Sequence, residues 1–369
     1  MCASKQELTE ILQQPRTLTS AFYKSEEIYK RSLDLIFARS WQWLDTDSGL
    51  SEPGSLKPVT ILPGSLNEPV LLSRDEQGKL SCLSNVCTHR GARLIDRACT
   101  EKSLRCRYHG RRFSLCGTFQ SAPGFEEAPD FPQERDNLPE LSLGRWQNIL
   151  FSGVEPAFPF AELVEDMERR LAFLPLDEFR FRQDLSRDYT IDAHWALYVD
   201  NYLEGLHIPF VHPNLAVMLD LKSYRTELQK YSNLQVGIAT KEEDTFQLPE
   251  SSPDFGQKIG AYYYWLFPNL MLNFYPWGLS VNIVSPQSHQ RTKVRYLTYV
   301  WREEHMGGYS PDDIAQTESE DQDVVQLVQA GMQSRHYHSG RYSPTWERGV
   351  QHFHQLVHQF MGVELNEAP

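Results

Sequence analysis

The chain has no apolar run long enough to span a bilayer. It has no Gly-x-Gly-x-x-Gly fingerprint, no Gly-x4-Gly-Lys loop, and no internal repeat or low-complexity tract. These absences point away from an integral membrane protein and from a chain that carries its own flavin or nicotinamide domain. Positive charge is in deficit: 36 Lys+Arg against 49 Asp+Glu leave a formal net charge of −13. Nucleic acid and anionic membrane are therefore not expected as partners. Met1-Cys2-Ala3-Ser4-Lys5 starts no secretory signal, and the expected location is the cytoplasm. Cysteine is sparse, six in 369 residues, yet five of the six fall between positions 82 and 116. In a reducing compartment Cys82, Cys99 and Cys116 are expected as reduced fillers of a small β domain, not disulfide partners.

The length suggests about two domains. Residues 1–45 read as a helical segment that packs on a later domain, with Ser25 as a cap ahead of Glu26 and Glu27. From 46 to 155 the pattern changes to short strands between turns. Val59-Thr60-Ile61-Leu62, Val70-Leu71-Leu72 and Leu80-Ser81-Cys82-Leu83 are bounded by Pro/Gly/Asn clusters, and Trp146–Phe151 reads as the last strand. Residues 156–369 read as a larger α+β domain. A helix is expected over Phe160–Leu171, antiparallel strands over 262–267, 279–284 and 293–301, and helices over 317–334 and 350–361. The five histidines of the tail, at 336, 338, 352, 354 and 358, show no ligand spacing and read as surface or structural.

Two stretches carry chemistry. Cys87-Thr88-His89-Arg90-Gly91 is answered by Cys106-Arg107-Tyr108-His109-Gly110. A Cys-x-His pair and a Cys-x-x-His pair suit a 2Fe–2S centre in which two thiolates hold one iron and two imidazoles the other. Two Cys and two His also satisfy tetrahedral zinc, but zinc sites usually set two cysteines close together ahead of a His pair. The glycine that ends each half lets the backbone turn tightly.

The second stretch is Asp200-Asn201-Tyr202-Leu203-Glu204-Gly205-Leu206-His207-Ile208-Pro209-Phe210-Val211-His212. On a regular helix His207 and His212 would point about 140° apart, so they meet only if the helix breaks, and Pro209 is the expected breaker. Glu204 would share a helical face with His207. Two histidines and a carboxylate are the facial set of non-haem Fe(II), and Glu318, Glu320, Asp321 and Asp323 compete for the third place. Helical spacing places Asp321 amid Val324, Val325, Val328 and Met332, where an unpaired carboxylate is costly, while Asp323 points the other way.

The two Cys/His loops look like the Rieske motif. With the 200–212 stretch and Glu320-Asp321 followed by Gln329-x-Gly331, the chain resembles, over nearly its whole length, the large (α-type) subunit of Rieske non-haem iron oxygenases. The resemblance implies an all-β Rieske domain plus a helix-grip catalytic domain of antiparallel sheet and helices. It implies a 2Fe–2S cluster on Cys87, His89, Cys106 and His109, and mononuclear Fe(II) on His207, His212 and Asp321, with Asp323 as the alternative third ligand. Glu204 would link an iron-ligand histidine to a Rieske histidine of a neighbouring subunit in a head-to-tail homotrimer, and Asn201 would support the site from behind. Glu at this position, where many relatives have Asp, resembles the branch that oxidises choline, carnitine and glycine betaine. The implied activity takes O2 and electrons from a separate reductase (flavin and iron–sulfur) and hydroxylates a small organic substrate, with dealkylation when the carbon is bonded to nitrogen or oxygen. An aromatic-ring dioxygenase α subunit and a bare Rieske electron carrier are the alternatives. Trp195, Tyr198, Tyr202, Phe210, Trp265, Phe267, Phe274, Tyr275 and Trp277 are the aromatic residues expected around the pocket, where ring faces attract a quaternary ammonium.

Overall fold

The structure is a computed structural model and describes residues 16–242, 245–306 and 310–362. The expectations for 1–15, the signal reading of Met1-Cys2-Ala3-Ser4-Lys5 among them, and for 363–369 lie outside the described residues. By internal contacts the chain forms two compact units. One is Phe37–Phe158; the other joins the described residues up to Ile36 with those from Pro159 onward. No helix among the described residues is long and apolar enough to cross a membrane.

The N-terminal helices are α1 (Ser20–Lys24) and α2 (Glu26–Ser32), followed by a π-helical turn over Leu33–Phe37. The Ser25 side chain accepts the Ile28 N–H at 3.2 Å and so caps α2. Residues 42–46, expected as helix, instead form strand β1 (Gln42–Thr46). The Trp43 ring meets Phe151 edge-on at 6.0 Å, and burial of that pair favours the extended form.

The smaller unit continues with β2 (Ser55–Ile61), β3 (Glu68–Arg74), β4 (Leu80–Ser84), β5 (Cys99–Thr100), β6 (Leu104–Arg105), β7 (Arg112–Phe113), β8 (Phe119–Ser121), β9 (Glu140–Leu141), β10 (Leu143–Trp146) and β11 (Ile149–Ser152). These form sheets ordered β1-β11-β10, β5-β2-β3-β4-β9 and β6-β7-β8. The single strand expected over 146–151 is two strands. Gln147, at φ 51°, turns the chain between β10 and β11 into a hairpin. A core of Leu71, Leu83, Leu104, Phe113 and Leu138 packs around the Cys87 and Cys106 side chains.

Beyond α1 and α2, the larger unit comprises α3 (Ala161–Arg170), β12 (Arg180–Phe181), β13 (Arg187–Ile191) and α4 (Trp195–Tyr202). Two short helices follow, α5 (Ile208–Val211) and α6 (Pro213–Met218). Next come β14 (Arg225–Leu228), β15 (Ser232–Ile238), β16 (Ile259–Leu266), β17 (Leu270–Tyr275), β18 (Gly278–Ser288) and β19 (Arg291–Val300), then α7 (Pro311–Met332) and α8 (Arg348–Met361). The eight strands form one sheet, β12-β19-β18-β17-β16-β15-β14, with β13 also on β19, and every pairing is antiparallel. Strand alternation divides its side chains between two faces. On one face the Tyr264 hydroxyl donates to Asp166 of α3 at 2.5 Å. The same carboxylate accepts from buried Arg170, which also pairs with Asp254 and Glu227. On the other face, Asn282 of β18 donates to Glu318 of α7, and Tyr202 of α4 donates to Asn273 of β17.

Candidate metal centres and active-site cavity

The two Cys/His loops repeat one backbone pattern. The Cys87 N–H donates to Ala92 O at 2.8 Å and the Gly91 N–H to Cys87 O at 3.0 Å. The Cys106 N–H donates to Arg111 O at 2.8 Å and the Gly110 N–H to Cys106 O at 3.0 Å. Gly91 and Gly110 sit at φ 70° and 75°, a left-handed conformation that favours glycine. The first loop follows β4, and the second joins β6 to β7. Both thiols are buried, while the His89 ring is half-buried and that of His109 exposed, their centroids 4.7 Å apart. Burial, and the neighbouring Cys106, push the Cys87 thiol pKa up. Buried Arg111, which motif spacing does not reveal, ties the loops together. Its guanidinium donates to Thr88 Oγ1 at 3.0 Å and pairs with Asp136 at 3.2 Å, among the rings of Phe119, Phe125 and Phe131.

The structure brings His207, His212 and Asp321 together: one ligand atom from each lies within 4.8 Å of the others. His207 Nε2 is 3.6 Å and His212 Nε2 2.9 Å from Asp321 Oδ1. How the histidines converge differs from the expectation. Helix α4 ends at Tyr202, and Pro209 lies in the first turn of α5, where its missing N–H costs nothing. His207 and His212 cap the two ends of that four-residue helix; the turn over 203–206 brings in His207, itself at helical angles, and non-helical backbone at His212 (φ −117°, ψ 75°) turns the second ring toward it. Glu204 shares no helical face with His207 but reaches it from this turn. Its Oε1 lies 2.6 Å from His207 Nδ1, and Oε2 accepts the N–H groups of Leu206 and His207.

Glu320, a competitor for the third ligand place, instead lies 2.8 Å from His212 Nδ1. Each ring thus has a carboxylate on Nδ1, which favours hydrogen there and leaves the Nε2 lone pair facing Asp321. The Asn201 side-chain amide donates to Asp321 Oδ1 at 2.5 Å. Burial works to lower the His212 pKa, but its bonds to Asp321 and Glu320 outweigh that and raise it. Asp323 is exposed, as helical spacing requires. Val328, placed in the apolar stripe with Asp321, is 41% exposed. Val325 and Met332 of that stripe are buried as expected, and among the described residues of α7 Glu318 and Gln329 are buried with them. Gln329 accepts the His194 N–H at 2.8 Å and pins the start of α4 to α7.

A cavity of about 100 Å³ opens beside these residues. Of the nine aromatic residues expected to line it, Tyr202 and Tyr275 do, joined by Tyr224 and Tyr263. Trp195, Trp265, Phe267, Phe274 and Trp277 are core, while Phe210 is 82% exposed. Tyr198 is buried and donates to Glu318 at 2.5 Å. Strand parity accounts for Phe274: Tyr263 shares the face of Gln235 and Asn273, its cross-strand neighbours, whereas Tyr262 and Tyr264 point away, as does Phe274 opposite Tyr262. Trp265 shares the face of Tyr263 but packs on Phe353 of α8, their ring centroids 5.4 Å apart. Burial and the charge of Asp321 push Glu318 up to about 7, against hydrogen bonds from Tyr198, Tyr296 and Asn282. Glu204, Asp313, Glu318 and Asp321 border the cavity, with no Lys or Arg among its described lining residues.

Two soft donors and two imidazoles on twin loops fit a Rieske cluster. The described ligand atoms that close on a single ion are those of the His207 group, not of these loops. Two imidazole nitrogens and a carboxylate oxygen fit Fe(II). The Rieske [2Fe-2S] domain model matches residues 40–132, and the catalytic-domain model of ring hydroxylating alpha subunits matches 176–363. Chloroplastic choline monooxygenase of Arabidopsis thaliana is 28% identical over 366 residues, covering 94% of this chain and 83% of that protein. The carnitine monooxygenase oxygenase subunit of Escherichia coli K12 is 26% identical over 372 residues, 94% of each. A solved quaternary ammonium Rieske monooxygenase, described in terms of carnitine oxidation by gut microbiota and inter-subunit electron transfer, aligns at a TM-score of 0.76. Its identity is 23%, with 95% of this chain and 98% of that one covered. Naphthalene 1,2-dioxygenase from Rhodococcus sp. aligns at 0.72 with 17% identity, over 99% and 100%. At these identities the solved structures speak for the fold, while the two domain models, in order along one chain, carry the assignment. The chain belongs to the ring-hydroxylating α subunits: it is a Rieske non-haem iron oxygenase, with a Rieske 2Fe–2S cluster and a mononuclear iron as its cofactors.

Proposed function

We propose that this chain is the terminal oxygenase of a monooxygenase system acting on a small quaternary ammonium compound. The observation that carries the substrate reading is the cavity wall: four tyrosines and four carboxyl side chains, with no cationic residue among the described lining. Aromatic faces and carboxylates attract a cation that has no N–H to donate. The family likeness to choline and carnitine monooxygenases supports the same reading. A polycyclic aromatic substrate would bring no positive charge to the four carboxyl groups of this wall.

In this reading Cys87, His89, Cys106 and His109 hold the cluster within the 37–158 unit. His207, His212 and Asp321 hold the mononuclear iron, which supplies O2 activation when bound. Glu204 and Glu320 orient the two imidazoles, and Asn201 steadies the Asp321 carboxylate. Glu318 stands at the cavity wall, held by hydrogen bonds from Tyr198 and Asn282, and is placed to take part in proton transfer for a reaction that consumes two protons and two electrons per oxygen atom reduced to water. Rieske oxygenases take electrons from a partner reductase; here that partner is a separate flavin and iron–sulfur protein, and the working unit is a cytoplasmic homotrimer. The likeness to a relative described by inter-subunit electron transfer supports a multimer.

The test is iron and acid-labile sulfide on anaerobically purified protein, followed by O2 uptake with a reductase and quaternary amines. About three irons to two sulfides, falling to about two and two in Asp321→Ala but not in Asp323→Ala, is the expected result. Two irons per two sulfides in the parent protein, unchanged by added Fe(II), would leave only an electron carrier.

A further inference from the structure

We infer that Gln235 selects the uncharged end of the substrate, so that the enzyme takes a quaternary ammonium bearing a neutral hydrogen-bond donor, such as a hydroxyl, and rejects zwitterions that carry a carboxylate. This rests on the quaternary ammonium reading above. Gln235 stands on β15, is 1% exposed and lines the cavity. Its Nε2 donates to the Tyr202 carbonyl at 2.6 Å, which fixes the amide orientation. Oε1 is then left buried, with no hydrogen-bond partner among the described residues. A buried acceptor without a donor is unfavourable and rare in a folded protein, so a ligand that brings an O–H or N–H to it gains at that point.

Asn273, in the same cross-strand row through Tyr263, is already engaged: it accepts the Tyr202 hydroxyl at 2.7 Å and donates to Asn282 at 3.3 Å. Gln235 Oε1 thus stands as an acceptor in a wall that holds carboxyl groups and no Lys or Arg among its described residues. A ligand carboxylate would meet the lone pairs on Gln235, with no Lys or Arg among the described wall residues to pair with it. The ammonium end suffers neither penalty.

The test is calorimetric titration of the anaerobic holoenzyme with choline, its O-methyl ether, glycine betaine and tetramethylammonium. Choline should bind about tenfold tighter than the ether, which lacks only the donor. It should bind at least about a hundredfold tighter than glycine betaine. In Gln235→Leu, choline should fall to the level of the ether while the ether is unchanged. The four-ligand series on the parent protein decides the matter even if that variant fails to fold. Choline and its ether binding equally, or glycine betaine matching choline, would overturn the inference while leaving the quaternary ammonium reading intact. Failure of all four, tetramethylammonium included, would overturn that reading and the inference with it.

Discussion

Glu320 lies 2.8 Å from Nδ1 of His212, while Asp321, the next residue, lies 2.9 Å from Nε2 of the same ring. Consecutive carboxylates of α7 therefore address both nitrogens of one imidazole, one behind the ring and one in front. The first favours hydrogen on Nδ1, and the second stands where the proposed iron would take its carboxylate ligand.

Removing the rear carboxylate should loosen the metal without touching a ligand. Glu320→Ala is expected to weaken Fe(II) affinity by about 10–100-fold, the usual cost of losing a carboxylate behind a metal-bound histidine. Glu320→Gln, whose amide oxygen still accepts from Nδ1, should lose less. Equilibrium dialysis against Fe(II), with the cluster intact, measures both; an unchanged affinity in the Ala variant would show that Glu320 does not orient the ring.

Glu318 makes stability depend on pH. Its folded-state pKa is pushed from 4.5 up to about 7, so the folded chain binds its proton more tightly than the unfolded chain does. The stabilisation is complete below about pH 4.5 and is lost as pH rises through 7. The full swing is on the order of 3 kcal/mol, at about 1.4 kcal/mol per pKa unit. In protein stripped of the mononuclear iron, urea unfolding at pH 5.5 and 7.5 should show this decline, and Glu318→Gln should flatten it. A decline just as steep in Glu318→Gln would assign it to other groups.

The mixed donor set of the cluster loops sets a potential. His89→Cys replaces a neutral imidazole by a thiolate, adding negative charge and stabilising the oxidised state. The midpoint should move from the Rieske range, about −150 to +300 mV, toward the roughly −400 mV of four-cysteine clusters. A redox titration followed by visible absorption reads the shift. A cluster that assembles in His89→Cys at an unaltered potential would mean His89 is not a ligand.

Chemistry encoded within a few residues was legible from sequence. Each cluster loop lies within five consecutive positions, and His207, His212 and Asp321 could be named from short motifs. The means of their convergence could not be. Pro209 does not break a helix between the histidines; it sits in the first turn of α5, and the chain leaves helical angles at His212 instead. The phase of the aromatic run was equally hidden, since Tyr262–Phe267 fits a strand in either orientation and only the covering helices decide which face meets the cavity. Gln235 escaped, and Glu318 was named only as a competitor for the third ligand place, because their burial depends on partners 33 and 120 positions away, Tyr202 and Tyr198, and nothing near them in sequence marks a polar residue as enclosed. The residues around 43 misled for the opposite reason: helical spacing of apolar side chains was present, but pairing across β1 and β11 outweighed it.

Every donor atom of the mononuclear site hangs from a helix or from the turns beside one, whereas Gln235, Tyr263, Asn273 and Tyr275 stand on three neighbouring strands. The two sets are nonetheless tied together, since Gln235 donates to the Tyr202 carbonyl and the Tyr202 hydroxyl donates to Asn273. A side chain exchanged on β15 or β17 is therefore felt at the C-terminal end of α4, beside Asn201, as well as in the cavity. Selectivity and metal geometry are inherited together in this sheet.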